Sequence, residues 1–381
     1  MTSTLSASTP KEKIPGYPVH TTVEGRLVLI GFGSIGRGIL PLIERHIDYD
    51  PSKFTVIDPS VEFAHILEKH GVRHLQLALT EENYKETIEG LFPDGMRGMV
   101  VNLSVDVDSV DVMEVLHGLD IPYVDTVVEP WPGWYFDPKL PSVERCSYPD
   151  REMLKGLASE WSGGPTFVTC CGANPGMVSW LMKEALTILA KDTGDDRPMP
   201  KTRDEWAKLA MDLGVKGLHI AERDTQVSNR PKAIGEFVNT WSVEGLINEG
   251  FLPAELGWGT HEKKLPPHGH KWTTGPGYSI WIDRPGSDTL VVSIICPESV
   301  FPFLSHGKTV AYTLNYFSYI RRSGPGFRKL VLSWGMSSYT RKVCRFPTTT
   351  RSTTPMARPS TARRVTTRTI RATMPYSPST R

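Results

Sequence analysis

Residues 27–41 read LVLIGFGSIGRGILP. Leu27 to Ile30 are apolar without polar alternation, the mark of a strand covered on both faces. Gly31, Gly33 and Gly36 then follow in the spacing G-x-G-x-x-G, and a helical pattern runs from Ile35 to His46. The first glycine permits a tight turn, the second lets the backbone approach a pyrophosphate, and the third lets helix and strand pack closely. The helix N-terminus, with Ser34 and Ile35 in its first turn, offers N–H donors to the phosphate. A second strand, KFTVIDPS, ends at Asp58, where a ribose-binding acid is required. A carboxylate there accepts from a 2′-hydroxyl and repels a 2′-phosphate, so the stretch favours NAD over NADP. A glycine-rich structural turn beside a strand-end acid is the competing reading, and it leaves the conjunction of the two unexplained.

Further along, RHLQLAL, GMVVNLSV and PYVDTVVEPW read as strands, separated by the helical patterns VEFAHILEKHG, EENYKETIEGLF and DVDSVDVMEVLHGL. Strands alternating with helices at this spacing mean βαβ units and a parallel sheet. The expected fold is α/β: an N-terminal Rossmann-type doubly wound parallel sheet, then an α+β second domain that is truncated or aberrant after about residue 298. The expected organisation is a disordered lead over 1–20, a dinucleotide-binding domain over 21–165, a substrate domain over 166–298 and a basic tail over 299–381.

In the second domain, TFVTCCGANPG reads as a strand and MVSWLMKEALTILAKD as a helix. GLHIAERDTQ reads as a strand, AIGEFVNTWSVEGLINEG as strand into helix, and GYSIWIDRPGSDTLVVSII as a hairpin turning at PGSD. No stretch approaches the ~18 consecutive apolar residues of a membrane helix. The start, MTSTLSASTPKEKIPGYP, has no apolar core and is not a secretory signal. Five cysteines, with Cys170 and Cys171 adjacent, show neither a disulfide framework nor C-x-x-C metal spacing, so the expectation is a cytoplasmic protein without a metal.

The formal net charge of +1 conceals an asymmetry. From Ser299 onward there are fifteen Lys and Arg and no Asp or Glu, which leaves residues 1–298 at −14. An acidic body argues against nucleic acid as the main partner.

Polar residues gather where the strands end. Asn102 and Ser104 close VVNLSVD, and Asp125, Thr126, Glu129 and Trp131 stand in DTVVEPW. Open α/β sheets bind ligands at this carboxyl edge. Asn174 sits on a Gly-Ala-Asn-Pro-Gly turn opening a helix. Turn chemistry for Asn174 and a solvated or capping acid for Glu129 remain equal alternatives. Glu222 and Asp224 lie in HIAERDTQ, and Trp241, Glu244 and Glu249 in VNTWSVEGLINEG. On a continuous helix Trp241 and Glu249 project about 80° apart and share a broad face. Carboxylates beside an aromatic face suit a cationic amine. A core tryptophan with solvated acids is the plainer alternative, and residue types alone favour it.

At these residues the sequence resembles the homospermidine synthases of bacterial type, relatives of the saccharopine dehydrogenase-like enzymes. The resemblance spans residues 20–298 and rests on GFGSIGRG, VVNLSVD, VDTVVEPW, CCGANPGMVSW, EWAKLAMDLGVKG, HIAERDTQ and PAELGWGT. It implies NAD as cofactor, held by Gly31, Gly33, Ser34, Ile35, Gly36, Asp58, Asn102, Ser104, Asp125 and Thr126. It implies diamine substrates, putrescine and spermidine. Hydride leaves an amine-bearing carbon, the imine loses ammonia, a second amine condenses, and hydride returns to give homospermidine. By the same resemblance Glu222 and Glu249 anchor or deprotonate amines, Asn174 orients the reacting nitrogen, Trp241 stabilises cationic intermediates, and Glu129 guards the approach. A homodimer is implied too. One carboxylate would need its pKa raised by burial to serve as base.

The resemblance breaks after Glu298. The family continues with a segment carrying an active-site histidine; His306 is the nearest here, and its SHGK setting matches poorly. Starting each codon of the tail one nucleotide earlier permits a string resembling the family's next segment. Met356–Ala357 must then yield Gly and Met374–Pro375 Ala, and both suit that segment. Residues 335–381 are therefore expected to be an out-of-frame translation and 299–334 a retained junction. A transcript cleanly encoding the present tail would sink that expectation. Two other functional readings stay open: a saccharopine- or carboxyspermidine-type dehydrogenase, which would want Arg or Lys in the pocket, and a catalytically dead NAD-binding remnant.

Overall fold

A computed structural model describes residues 16–137, 139–161, 163–224, 234, 242, 243, 245, 252–258, 262–285, 328–336 and 367–373; for 216–224, 328–336 and 367–373 this means the backbone. The chain divides into two compact units. One comprises residues 1–134 and 156–172, the other 135–155 and 173–381.

The first unit holds strands Thr21–Val23 (β1), Arg26–Ile30 (β2), Ile47–Tyr49 (β3), Phe54–Ile57 (β4), Arg73–Leu75 (β5), Gly98–Asn102 (β6), Tyr123–Asp125 (β7) and Phe167–Val168 (β8). Helices Ser34–His46 (α1), Ala64–Lys69 (α2), Tyr84–Leu91 (α3) and Ser109–Gly118 (α4) alternate with them; Ser147–Glu160 (α5) precedes β8, with residues 147–155 counted in the second unit and 156–160 in the first. Six strands form one parallel sheet in the order β5-β4-β2-β6-β7-β8. Strand order reverses between β2 and β6, the switch point where such sheets bind ligands. Their burial explains the apolar run that opened the reading: Leu27, Val28, Leu29 and Ile30 are all buried, as are Phe54, Val56 and Val100. Each such side chain contributes about 1.5–3 kcal/mol on leaving water. The expected doubly wound sheet is therefore present. The small parallel pair of β1 with β3, and α5, to which the sequence reading assigned no element, are additions to the reading.

The registers set up the site. Ile30 lies opposite both Ile57 and Asn102, and Asn102 lies opposite Asp125. The carboxyl ends of β2, β4, β6 and β7 are thus level, and the residues that follow them share one edge.

The second unit packs helices Met177–Asp192 (α6) and Arg203–Asp212 (α7) around Val178, Met182, Leu186 and Leu209. Strands Pro253–Gly257 (β10), Gly269–Lys271 (β11) and Ser279–Pro285 (β12) form an antiparallel sheet with β12 in the centre. The expected hairpin partner of β12 beyond PGSD lies outside the described residues. Val215–Asp224 (β9) pairs in parallel with Arg328–Met336 (β13), and β13 with Thr367–Thr373 (β14). The last two strands lie in the stretch expected to be an aberrant basic tail; RKLVLSWGM carries the aliphatic and aromatic residues that suit a pleated surface.

Candidate functional site

The glycine loop is built as its spacing demands. Gly31 takes φ +88°, and a Cβ there would stand 2.8 Å from the Ser104 nitrogen. A Cβ on Gly36 would meet the Gly31 carbonyl oxygen at 2.5 Å, so helix and turn touch through backbone alone. A Cβ on Gly33 would meet nothing within 4 Å. That open position faces the space a pyrophosphate requires.

The start of α1 is open as well. Its N-cap, Gly33, supplies no side-chain hydrogen bond, and its first turn carries no acid. α2, α3 and α6 likewise lack a side-chain cap, whereas α4 and α7 are closed by their own residues. Asp108 accepts from the Val110 and Asp111 N–H groups at 2.8 and 2.9 Å at the head of α4. Thr202 and Glu205 form a reciprocal capping box at α7. Leaving the N–H groups of Ser34, Ile35 and Gly36 uncapped suits an anionic group at that end. Ile35, an exposed apolar side chain, stands beside the opening.

Asp58 follows β4 and turns back onto the loop. Its Oδ2 accepts from the Phe32 N–H at 2.5 Å and its Oδ1 from the Ser60 N–H at 2.8 Å. Each oxygen retains a lone pair, so the carboxylate is held in place and can still accept from a ribose hydroxyl. These residues together fit a dinucleotide.

Across the switch point a buried polar chain runs along the sheet edge. Asn102 Oδ1 accepts from Ser104 N–H at 3.1 Å and Ser104 Oγ at 2.5 Å, and its Nδ2 donates to the Tyr123 hydroxyl at 3.1 Å. Asp125 Oδ1 accepts from the Cys170 N–H at 2.7 Å, and its backbone carbonyl from the Cys171 N–H at 2.8 Å. Asp125 Oδ2 is buried without a hydrogen-bond partner. Burial pushes the Asp125 carboxyl up to about 7, against the lowering effect of the Cys170 N–H and the Tyr123 and Ser109 hydroxyls. Thr126, half-buried, follows directly.

Glu129 is anchored through its backbone. Its N–H donates to Ser109 Oγ at 3.1 Å, and its carbonyl accepts from the Ser109 N–H at 2.8 Å. Trp131 Nε1 donates to Asp111 Oδ2 at 2.6 Å and its ring packs against Tyr84. The VVEPW segment is thereby fixed to the head of α4.

In the second unit Asn174 is half-buried in the turn before α6, where the Val178 N–H donates to the Ala173 carbonyl at 3.0 Å. Glu222 stands on β9 opposite Trp334 of β13. Trp241 and Glu249 lie outside the described residues. The structure therefore brings together Gly31, Gly33, Gly36, Asp58, Asn102, Ser104 and Asp125 within one unit. Tyr123, Ser109 and the backbone of Cys170 were not legible as members: PYVD reads as a core strand, and a hydroxyl engaged at its far end leaves no pattern. Among the described residues no group of three His, Cys, Asp or Glu could hold a metal, and no helix is long and apolar enough to cross a membrane.

A doubly wound parallel sheet with an uncapped glycine loop and a strand-end acid defines a dinucleotide-binding protein of dehydrogenase type. Residues 27–168 match the saccharopine dehydrogenase NADP binding domain, and residues 172–357 the saccharopine dehydrogenase C-terminal domain. A homospermidine synthase of Blastochloris viridis is 52% identical over 278 residues, 73% of this chain and 58% of that protein. One of Mesorhizobium japonicum is 50% identical over 284 residues, 74% of this chain and 58% of that protein. The crystal structure of the Legionella pneumophila homospermidine synthase in complex with NAD matches with a TM-score of 0.61 and 34% identity, covering 71% of this chain and 56% of that one. The chain belongs to the saccharopine dehydrogenase-like family, and its relatives there include homospermidine synthases. It spans 58% of the length of these two curated relatives.

Proposed function

We propose that the chain is an NAD-dependent homospermidine synthase of polyamine biosynthesis, converting two putrescine, or spermidine and putrescine, to homospermidine. The observation that carries this reading is the open glycine loop with Asp58 locked onto it, in a chain half identical to homospermidine synthases over 278 residues. When bound, the nicotinamide accepts hydride from the amine-bearing carbon and later returns it, so no net oxidation results. The backbone at Gly33 and the first turn of α1 hold the pyrophosphate, and Asp58 holds the adenosine ribose. Asn102, Ser104, Asp125 and Thr126 border the other half of the cofactor.

Glu129 draws the dication toward the site. Glu222 and Glu249 hold its ammonium ends, and one of them removes the proton that must leave before hydride can. Asn174 orients the reacting nitrogen, and the Trp241 ring stabilises positive charge that develops beside it. The same reading takes the protein as a cytoplasmic homodimer with neither nucleic acid nor membrane as partner.

Incubation of the full chain with NAD and putrescine, followed by mass spectrometry of the amines, tests the reading. Homospermidine without accumulating NADH is expected. NADH without homospermidine would favour an ordinary amine dehydrogenase, and NAD binding without turnover the dead remnant.

A further inference from the structure

The cofactor reading leaves one charged side chain at the loop unused. Arg37 directly follows the third glycine. Its Nε donates to the Gly33 carbonyl at 3.1 Å, and its guanidinium carbon lies 3.7 Å from the centroid of the Phe63 ring. Phe63 stands at the N-cap of α2, five residues beyond Asp58. The guanidinium thus spans the two pieces of chain, the glycine loop and the segment after β4, between which a Rossmann-type sheet seats adenosine.

Asp58 and Arg37 grip consecutive residues of the loop: Asp58 accepts from the Phe32 N–H, and Arg37 donates to the Gly33 carbonyl. Yet among the described residues Arg37 forms no ion pair with any carboxylate, and its two terminal amino groups carry no hydrogen bond. Stacking on Phe63 holds the guanidinium plane and leaves its edge donors for a ligand. A planar fork of donors beside the ribose is what a 2′-phosphate needs, and a carboxylate beside the same ribose is what excludes it. The family bears both outcomes: its domain model is described as NADP binding, while the Legionella relative holds NAD.

We propose that Arg37 is a 2′-phosphate receptor masked by Asp58, so that this pair, with Phe63 as its support, sets the choice between NAD and NADP. The inference rests on the dinucleotide reading of the loop. Asp58 supplies the repulsion and Arg37 the attraction that repulsion overrides.

Calorimetric titration of the full chain with NAD and NADP tests it. Wild type is expected to prefer NAD. Asp58→Asn, which keeps one oxygen for the Phe32 N–H, should gain NADP affinity by about 10- to 100-fold, the worth of a charge-assisted hydrogen bond. Adding Arg37→Ala should remove that gain. Equal NADP binding by D58N and D58N/R37A, with NAD still bound by wild type, overturns the inference alone. Absence of any dinucleotide binding by wild type overturns the cofactor reading and the inference with it. Should D58N fail to fold, Arg37→Ala leaves every hydrogen bond of Asp58 in place. It should then weaken 2′-AMP binding relative to 5′-AMP by about tenfold, and an unchanged ratio overturns the inference.

Discussion

Asn102 donates from Nδ2 to the Tyr123 hydroxyl at 3.1 Å while its Oδ1 takes both donors of Ser104. One buried amide therefore ties the ends of β6 and β7 to the loop that packs against Gly31. Replacing it with Ala removes the amide donor to the buried Tyr123 hydroxyl and frees Ser104, whose nitrogen sets the wall 2.8 Å from the Gly31 Cβ position. Losing such buried hydrogen bonds costs about 1–3 kcal/mol. Asn102→Ala should lower the opening free energy of the β6 and β7 amides in hydrogen exchange by that amount and weaken NAD binding. Unchanged protection of those amides would show that the amide is not the tie.

The glycines divide into two kinds. Gly36→Ala places a methyl 2.5 Å from the Gly31 carbonyl, a backbone atom that cannot swing away, so helix and turn must part. Gly33→Ala meets only open space at its Cβ. Gly36→Ala should therefore lower thermal stability, with NAD affinity falling as a consequence. Gly33→Ala should leave the melting temperature where it is and weaken NAD binding by crowding the phosphate. Thermal shift and binding measured side by side separate the two outcomes.

Those glycines were legible because spacing, strand and helix all constrain a short segment. Asp58, Asn102 and Asp125 were legible as strand-end polar residues, because a parallel sheet levels its carboxyl ends. What they bond to was not: the partner of Asn102 is Tyr123, twenty-one residues away, and that of Asp125 is the N–H of Cys170, forty-five away. Such pairs depend on register and loop path, which no local periodicity records. Arg37 escaped for a different reason, since an arginine after a glycine motif reads as a solvated helix charge until Phe63 is found beneath it.

Glu255 makes the corresponding long-range contact in the second unit. From β10 its Oε2 accepts from the Ser147 N–H at 2.9 Å and its Oε1 from the Tyr148 N–H at 3.2 Å, so a strand residue caps α5. Burial pushes its carboxyl pKa up, and the Ser147 N–H and Arg151 oppose that rise. Glu255→Ala would leave the buried Tyr148 N–H and the half-buried Ser147 N–H without their acceptor, at a cost of about 1–3 kcal/mol for the buried one. Faster hydrogen exchange at Ser147 and Tyr148 is expected, together with a lower unfolding midpoint. Glu255→Gln, which keeps an acceptor, should lose less.

Asp125 carries the pH dependence. In the folded chain its pKa is raised from 3.8 to about 7, first by burial, so the native state keeps a proton that the unfolded chain releases. Its contribution is favourable below the unfolded pKa and is lost as pH rises from about 4 to about 7, beyond which it is constant. The physical cause is burial: the ionised carboxylate loses hydration that the Cys170 N–H and the Tyr123 and Ser109 hydroxyls only partly replace. The loss between pH 5 and pH 8 has an upper bound of roughly 3 kcal/mol, at 1.36 kcal/mol per unit of pKa. Asp125→Asn keeps an oxygen for Cys170 and cannot ionise. Its urea midpoint should exceed that of wild type at pH 8 and approach it at pH 5. Parallel pH profiles for the two proteins would mean that Asp125 is already ionised and hydrated in the fold.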